Sequence, residues 1–107
     1  MPTALLLSRD GSASDWFPFG MKGLPNARIF GHRTANAFSS YYQLDYYGGF
    51  NWRMASGDLV RPDGTTHLGE GVLPDEDIVA KQSDLVAGKD TVFLRALEWI
   101  RTCQGCR

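Results

Sequence analysis

Residues 3–30 constrain the fold of this chain more than any other stretch. Thr3-Ala4-Leu5-Leu6-Leu7 is a continuous apolar run rather than an alternating one, the pattern of a strand buried on both faces. A polar corner with a glycine, residues 8–11, ends it, and a strongly apolar segment with Trp16, Phe17, Phe19 and Met21 follows from about residue 13 to 23. Leu24-Pro25-Asn26 closes that segment, and residues 27–30 form a second short strand ended by Gly31. Strand, helix and strand at this spacing make one β-α-β crossover, which favours a parallel sheet with a right-handed connection and an α/β fold. Pro18 falls inside the helix and is expected to kink it or to remove a backbone hydrogen bond. The apolar content of the helix predicts that much of it is buried.

Ser12 stands where this helix begins, with Asp15 three positions on as in a capping box. Two readings of Ser12 follow. It is an N-cap, the usual role of serine there, or a nucleophile. In the second reading the hydroxyl emerges at the carboxyl edge of the sheet, beside the amides of the helix's first turn.

Further along, residues 39–47 and 50–55 read as two strands joined at Gly48-Gly49, a hairpin signal. Phe50, Trp52 and Met54 alternate with Asn51 and Arg53, so the second strand has an apolar face. Pro62-Asp63-Gly64 is a turn, residues 78–80 are a candidate last strand, and residues 83–88 make a helical turn closed by glycine. Asp90 caps a helix over residues 91–102, with Phe93, Ala96, Leu97 and Ile100 at helical spacing.

At 107 residues the chain is expected to form one domain with one core, about residues 1–102, and a frayed tail at 103–107. The net charge of −1, with Lys and Arg scattered, gives no footprint for nucleic acid or an anionic membrane. No apolar run approaches the roughly 20 residues of a membrane helix. Met1-Pro2-Thr3 has neither the basic region nor the cleavage site of a signal peptide.

Three segments occur in order: Ser8-Arg9-Asp10-Gly11-Ser12-Ala13-Ser14-Asp15, Gly31-His32-Arg33-Thr34-Ala35 and Gly69-Glu70-Gly71-Val72-Leu73-Pro74-Asp75. Together they resemble the C-terminal processing (tail-specific) serine peptidase family. That family has its nucleophile in a Ser-Ala-Ser/Ala-Glu segment after a strand. A Gly-x-x-Thr-Ala-Gly turn follows, and later a Gly-x-Gly-Val-x-Pro-Asp segment. The resemblance implies Ser12 as nucleophile, the Ala13 backbone amide as one oxyanion-hole donor, and Asp15 in the place of the family's glutamate. It implies a partial crotonase-like (Clp protease/crotonase) α/β peptidase domain with a β-hairpin and a C-terminal helix. It also implies no cofactor, and a polypeptide substrate bound in extended form by strand addition near the nucleophile strand. Family members are commonly exported or periplasmic.

The chain departs from the family at several positions. Asn36 stands where a glycine is usual, and Asn tolerates positive φ better than other residues with a side chain. A serine hydroxyl needs a base. In many family members that base is a lysine just past the Thr, at the position of Ala37, and no lysine occurs between Lys22 and Lys81. Other members use a histidine from a segment preceding everything seen here, and the second oxyanion-hole donor also comes from an earlier strand. Leu68 replaces a frequently acidic residue. The chain therefore resembles the C-terminal portion of a catalytic domain, and as a free polypeptide it is expected to lack peptidase activity.

Other residues invite a functional reading. His32, directly after the second strand, and His67 are the internal candidates for a base, although solvated loop side chains are the commoner case. A carboxylate in a helix's first turn accounts for Asp15 without any catalytic role. Cys103-Gln104-Gly105-Cys106 has the spacing of half a zinc site or a redox pair, with no second pair of ligands to complete it. Glu70, Asp75, Glu76 and Asp77 fit no calcium-loop spacing and read as a solvated face. Aromatics including Tyr41 and Tyr42 either line a peptide groove or pack the hairpin and core. Two function classes result: a serine endopeptidase of the tail-specific type carrying the nucleophile half, or a non-catalytic peptide-binding or pseudo-peptidase module of the same fold. Without upstream strands an apolar sheet edge is exposed, so self-association is expected.

Overall fold

The computed structural model describes residues 1–9, 11–57, 60, 63–65 and 70–103. Its elements in chain order are β1 (Thr3–Leu7), α1 (Ala13–Met21), β2 (Ala27–Gly31), β3 (Tyr41–Asp45), β4 (Asn51–Ala55), β5 (Glu76–Asp77), α2 (Gln82–Val86) and α3 (Thr91–Thr102). β1 and β2 are parallel, with Thr3 opposite Ala27 and Leu7 opposite Gly31. β5 pairs with the other side of β2, also parallel, giving the order β1-β2-β5.

The apolar strands are covered from two sides. Leu7, Ile29, Phe38 and Val72 form the core, with Leu5 and Phe19 packed against it. On the opposite face α3 lies over β1 and β2, with Trp99 against Phe30 at 5.7 Å between ring centroids. This α/β layering is why β1 is continuous in hydrophobicity and why Ile29 and Phe30 of β2 are both fully buried. Asp90 caps α3 by accepting from the Phe93 amide at 3.0 Å. Arg95 of α3 forks onto Glu76 of β5 at 2.8 and 3.1 Å, which holds the guanidinium above its ordinary range.

Four expectations need correction. α1 ends at Met21, because Lys22 is already extended and Gly23 takes φ +89°. It buries only one stripe, Asp15, Pro18 and partly Phe19, and leaves Trp16 and Phe17 exposed. The buried side faces the 34–37 turn, through Asp15, and Phe38, through Phe19, and the remaining sides face away. The last strand is Glu76–Asp77 rather than residues 78–80. Its register is set by Asp75, whose amide donates to the Ile29 carbonyl at 2.8 Å while its carboxylate accepts from the Ile29 amide at 2.8 Å. In α3, Phe93 and Ile100 are exposed, while Ala96 is buried and Trp99 turns to the sheet.

The hairpin forms with Tyr41 opposite Ala55 and Asp45 opposite Asn51. Its ladder closes at Tyr46 N–H to the Phe50 carbonyl, 2.7 Å, so the loop is Tyr47-Gly48-Gly49, with both glycines at positive φ. Every residue of β3 and β4 is exposed. Core packing therefore does not account for these aromatics. Phe38, just before the hairpin, is the one that enters the core.

Candidate active site

The carboxyl ends of β1, β2 and β5 form one edge of the sheet, and all three sequence motifs meet there. Ser12 leaves β1's corner with φ 63° and ψ −120°. A side-chain-bearing residue at positive φ in a strand-to-helix turn is strained, and such a turn lifts a serine hydroxyl out above the sheet. The Ser12 side chain is exposed, caps nothing, and makes no hydrogen bond among the described residues. Ser12 therefore stands at the N-cap position without capping the helix by its side chain, which would require β-region dihedrals and a hydroxyl aimed at the first-turn amides. The Ser12 carbonyl instead accepts from the amides of Asp15 at 2.9 Å and Trp16 at 3.4 Å. Ala13 opens α1, so its N–H is among the helix-start donors with no intrahelical acceptor.

Asp15 has a larger role than a first-turn charge. It is fully buried, and Oδ1 accepts from the Asn36 amide at 3.1 Å while Oδ2 accepts from the Ala37 amide at 2.7 Å. Burying a carboxylate is costly unless it is hydrogen-bonded, and these two amides supply the bonds. Asn36 at φ 65° provides the left-handed turn that presents them. The Asp15 carboxylate thus ties the start of α1 to the turn at residues 34–37, and no capping box forms. Gly11 lies at the same junction. A Cβ there would come within 3.3 Å of the Cβ atoms of both Ala35 and Ala37.

The third motif locks the turn from the other side. The buried Thr34 accepts at Oγ1 from the Val72 amide, 2.9 Å, and its own amide donates to the Val72 carbonyl, 3.2 Å. A Cβ at Gly71 would lie 2.1 Å from the Thr34 carbonyl oxygen, and one at Gly31 would lie 2.0 Å from that of Leu7. Only glycine fits at either place.

Not every candidate joins this assembly. His32 Nδ1 is 3.0 Å from Asp77 Oδ1, and no hydrogen bond links it to Ser12 among the described residues. Ala37, where the resemblance places a lysine, contributes only its amide, to Asp15. Tyr41 and Tyr42 lie on the exposed hairpin, whose strands pack mainly on each other. His67, Leu68, Gly69 and Cys106 lie outside the described residues, and Cys103 is disulfide-bonded. Asp75, Glu76 and Asp77 each engage a different partner: Ile29, the Arg28–Arg95 pair and His32. Among the described residues, no group of His, Cys, Asp and Glu could hold a metal ion, and no helix is long and apolar enough to cross a membrane.

Sequence reasoning missed Arg9 and Arg33. They line a cleft of about 540 Å³ together with His32, Leu73, Pro74 and Asp77. They also line an adjoining one of about 130 Å³ with Thr34, Ala35, Asn36 and Gly71. The available signal was positional: each arginine stands two residues past the end of one of two adjacent parallel strands.

No family model and no curated protein matches the sequence. Solved structures match the fold. A candidate peptidase from Parabacteroides merdae gives a TM-score of 0.82 at 23% identity, covering 97% of this chain and 33% of that one. Mature CPAF complexed with lactacystin gives 0.80 at 24% identity, over 94% of this chain and 20% of its own. A lipoprotein from Streptococcus agalactiae gives 0.68 at 19% identity, over 95% and 32%. The chain spans about a third or less of the length of these structures, and the fold it shares with the first two is peptidase-like.

Proposed function

We propose that this chain is the nucleophile half of a serine-type endopeptidase of the tail-specific (C-terminal processing) class, within a crotonase-like domain. Ser12 is the nucleophile, and the Ala13 amide is one donor to the oxyanion of the tetrahedral intermediate. The observation that carries this reading is the strained conformation of Ser12, with its hydroxyl exposed at the carboxyl edge of a parallel sheet. Asp15 is a positioning residue that holds the serine corner against the 34–37 turn.

The general base and the second oxyanion donor are supplied by residues beyond those assembled here. The substrate is an extended polypeptide, bound by strand addition, with Tyr41 and Tyr42 as outlying contacts. Among the described residues β1 is an edge strand of its sheet. In isolation this apolar edge drives self-association.

A second reading is a pseudo-peptidase that binds peptide without cutting it. It is favoured by the lack, among the described residues, of any base hydrogen-bonded to Ser12. Treating the native protein, in extracts of the cells that make it, with a fluorophosphonate probe separates the two. Covalent label mapped to Ser12 by mass spectrometry is the expected result. A native protein that binds peptide while Ser12 stays unlabelled sinks the catalytic reading in favour of the second.

A further inference from the structure

Among the described residues, some cations near the sheet are ion-paired and two are not. Lys22, Arg28 and Arg95 are each paired with a carboxylate, of Asp75, Glu76, and Glu76 with Glu98 respectively. Arg9 and Arg33 make no ion pair and no hydrogen bond among the described residues, yet they face the same two clefts. Their placement follows from the sheet register. Leu7 and Gly31 are opposite one another at the ends of β1 and β2. Two residues further along each chain, an arginine stands over the crevice outside the carboxyl ends of the strands, where open parallel sheets bind ligands.

We propose that Arg9 and Arg33 form an anion subsite that holds a carboxylate of the polypeptide bound beside Ser12. The inference rests on the peptide-binding reading above and adds a specificity determinant to it. Two guanidinium forks flanking one cleft match the planar geometry of a carboxylate, which a lysine's point charge does not. The acid within the larger cleft, Asp77, is already engaged by His32 at 3.0 Å, so it leaves the arginines to a ligand. The subsite is next to the serine corner. Ala35, which lines the smaller cleft, is one of the two residues a Cβ on Gly11 would meet at 3.3 Å. Exposed Leu73, with Pro74, gives the larger cleft an apolar wall suited to the neighbouring side chains of an extended peptide.

The carboxylate has two sources, the peptide's own C-terminus or an acidic side chain. The test uses the full chain and three fluorescent, unstructured peptides of one sequence. One has a free C-terminal carboxylate and no acidic residue, one is its C-terminal amide, and one is amidated with a single internal Glu. Binding is read by anisotropy. At least one carboxylate-bearing peptide is expected to bind about tenfold tighter than the amide, and which one does so identifies the source. In Arg9→Gln/Arg33→Gln that preference disappears while binding of the amide is unchanged. The milder Arg9→Lys/Arg33→Lys variant, which keeps charge and folding, retains only part of it. Equal binding of all three peptides, or a preference that survives in the double glutamine variant, overturns the subsite and leaves the peptide-binding reading standing. Absence of binding by any peptide overturns both.

Discussion

The serine corner and the hairpin use backbone freedom in opposite ways. Around Ser12, positive-φ positions are surrounded by partners distant in sequence. Asp15 reaches the amides of Asn36 and Ala37, Thr34 meets Val72, and Gly31 and Gly71 leave no room for a Cβ. At the hairpin tip, Gly48 and Gly49 are also at positive φ, but nothing lies within 4 Å of a Cβ built on either. Tyr47 between the strands is completely exposed, at 105% relative accessibility. Strain in the first region is held by tertiary structure. The second depends on its own ladder, and a two-stranded ribbon alone is only marginally stable in water. The first is therefore built to hold a geometry, and the second to open locally.

The sharpest way to break this contrast is one substitution made in both places. Gly31→Ala places a Cβ about 2.0 Å from a backbone oxygen at φ +118°. It is expected to cost more than about 3 kcal/mol and to abolish the cooperative urea transition. Gly48→Ala meets no atom and carries only the left-handed backbone penalty, about 1–2 kcal/mol. That penalty is expected to fall on hairpin opening, seen as faster amide exchange in β3 and β4, with the global transition unmoved. Comparable losses of global stability in the two variants would erase the distinction.

Asp15→Asn tests the next effect. The amide side chain keeps the shape but turns a donor toward a backbone N–H, leaving a buried amide unsatisfied at a cost of about 3 kcal/mol. Urea denaturation measures that loss. Backbone NMR shifts should change at Ser12 and at residues 34–37 together, since one carboxylate joins them. A change confined to α1 would mean that the clamp does not couple the serine corner to the turn.

Legibility in the sequence followed the same division. The crossover was readable because a continuous apolar run at residues 3–7 and a second short strand at 27–30, bracketing a helix, have few other solutions. The Asp90 cap and the positive φ of Asn36 were readable because both are local preferences. Asp15 was not. Its partners are 21 and 22 residues away, and its spacing from Ser12 imitates a capping box. β5 was displaced for a related reason: Asp75's bonds to Ile29 outweigh the apolar character of residues 78–80. The hairpin's presence was legible but its register and exposure were not: a two-residue turn at Gly48-Gly49 would pair Tyr47 with Phe50, whereas Tyr46 does so around a three-residue loop, and alternation reports a ribbon with two unlike faces and not whether anything covers them. Arg9 and Arg33 become neighbours only once the β1–β2 register is known.

The smallest expected effect concerns the ribbon's own bonds. Arg53 lies opposite Gln43 across the ladder, donates to its Oε1 at 2.8 Å, and sits 5.1 Å above the Tyr41 ring. Gln43 in turn donates to Asp45 at 2.9 Å. All four side chains are exposed, so water competes for each contact, and Arg53→Ala is expected to remove only about 0.5 kcal/mol. Because the ribbon is marginal, that loss should still be visible as increased amide exchange throughout β3 and β4, while β1 and β2 exchange as before. If Arg53→Ala also lowers the melting temperature of the whole chain by several degrees, the ribbon is coupled to the sheet. Its exposed aromatics would then have to be counted as part of the site's support.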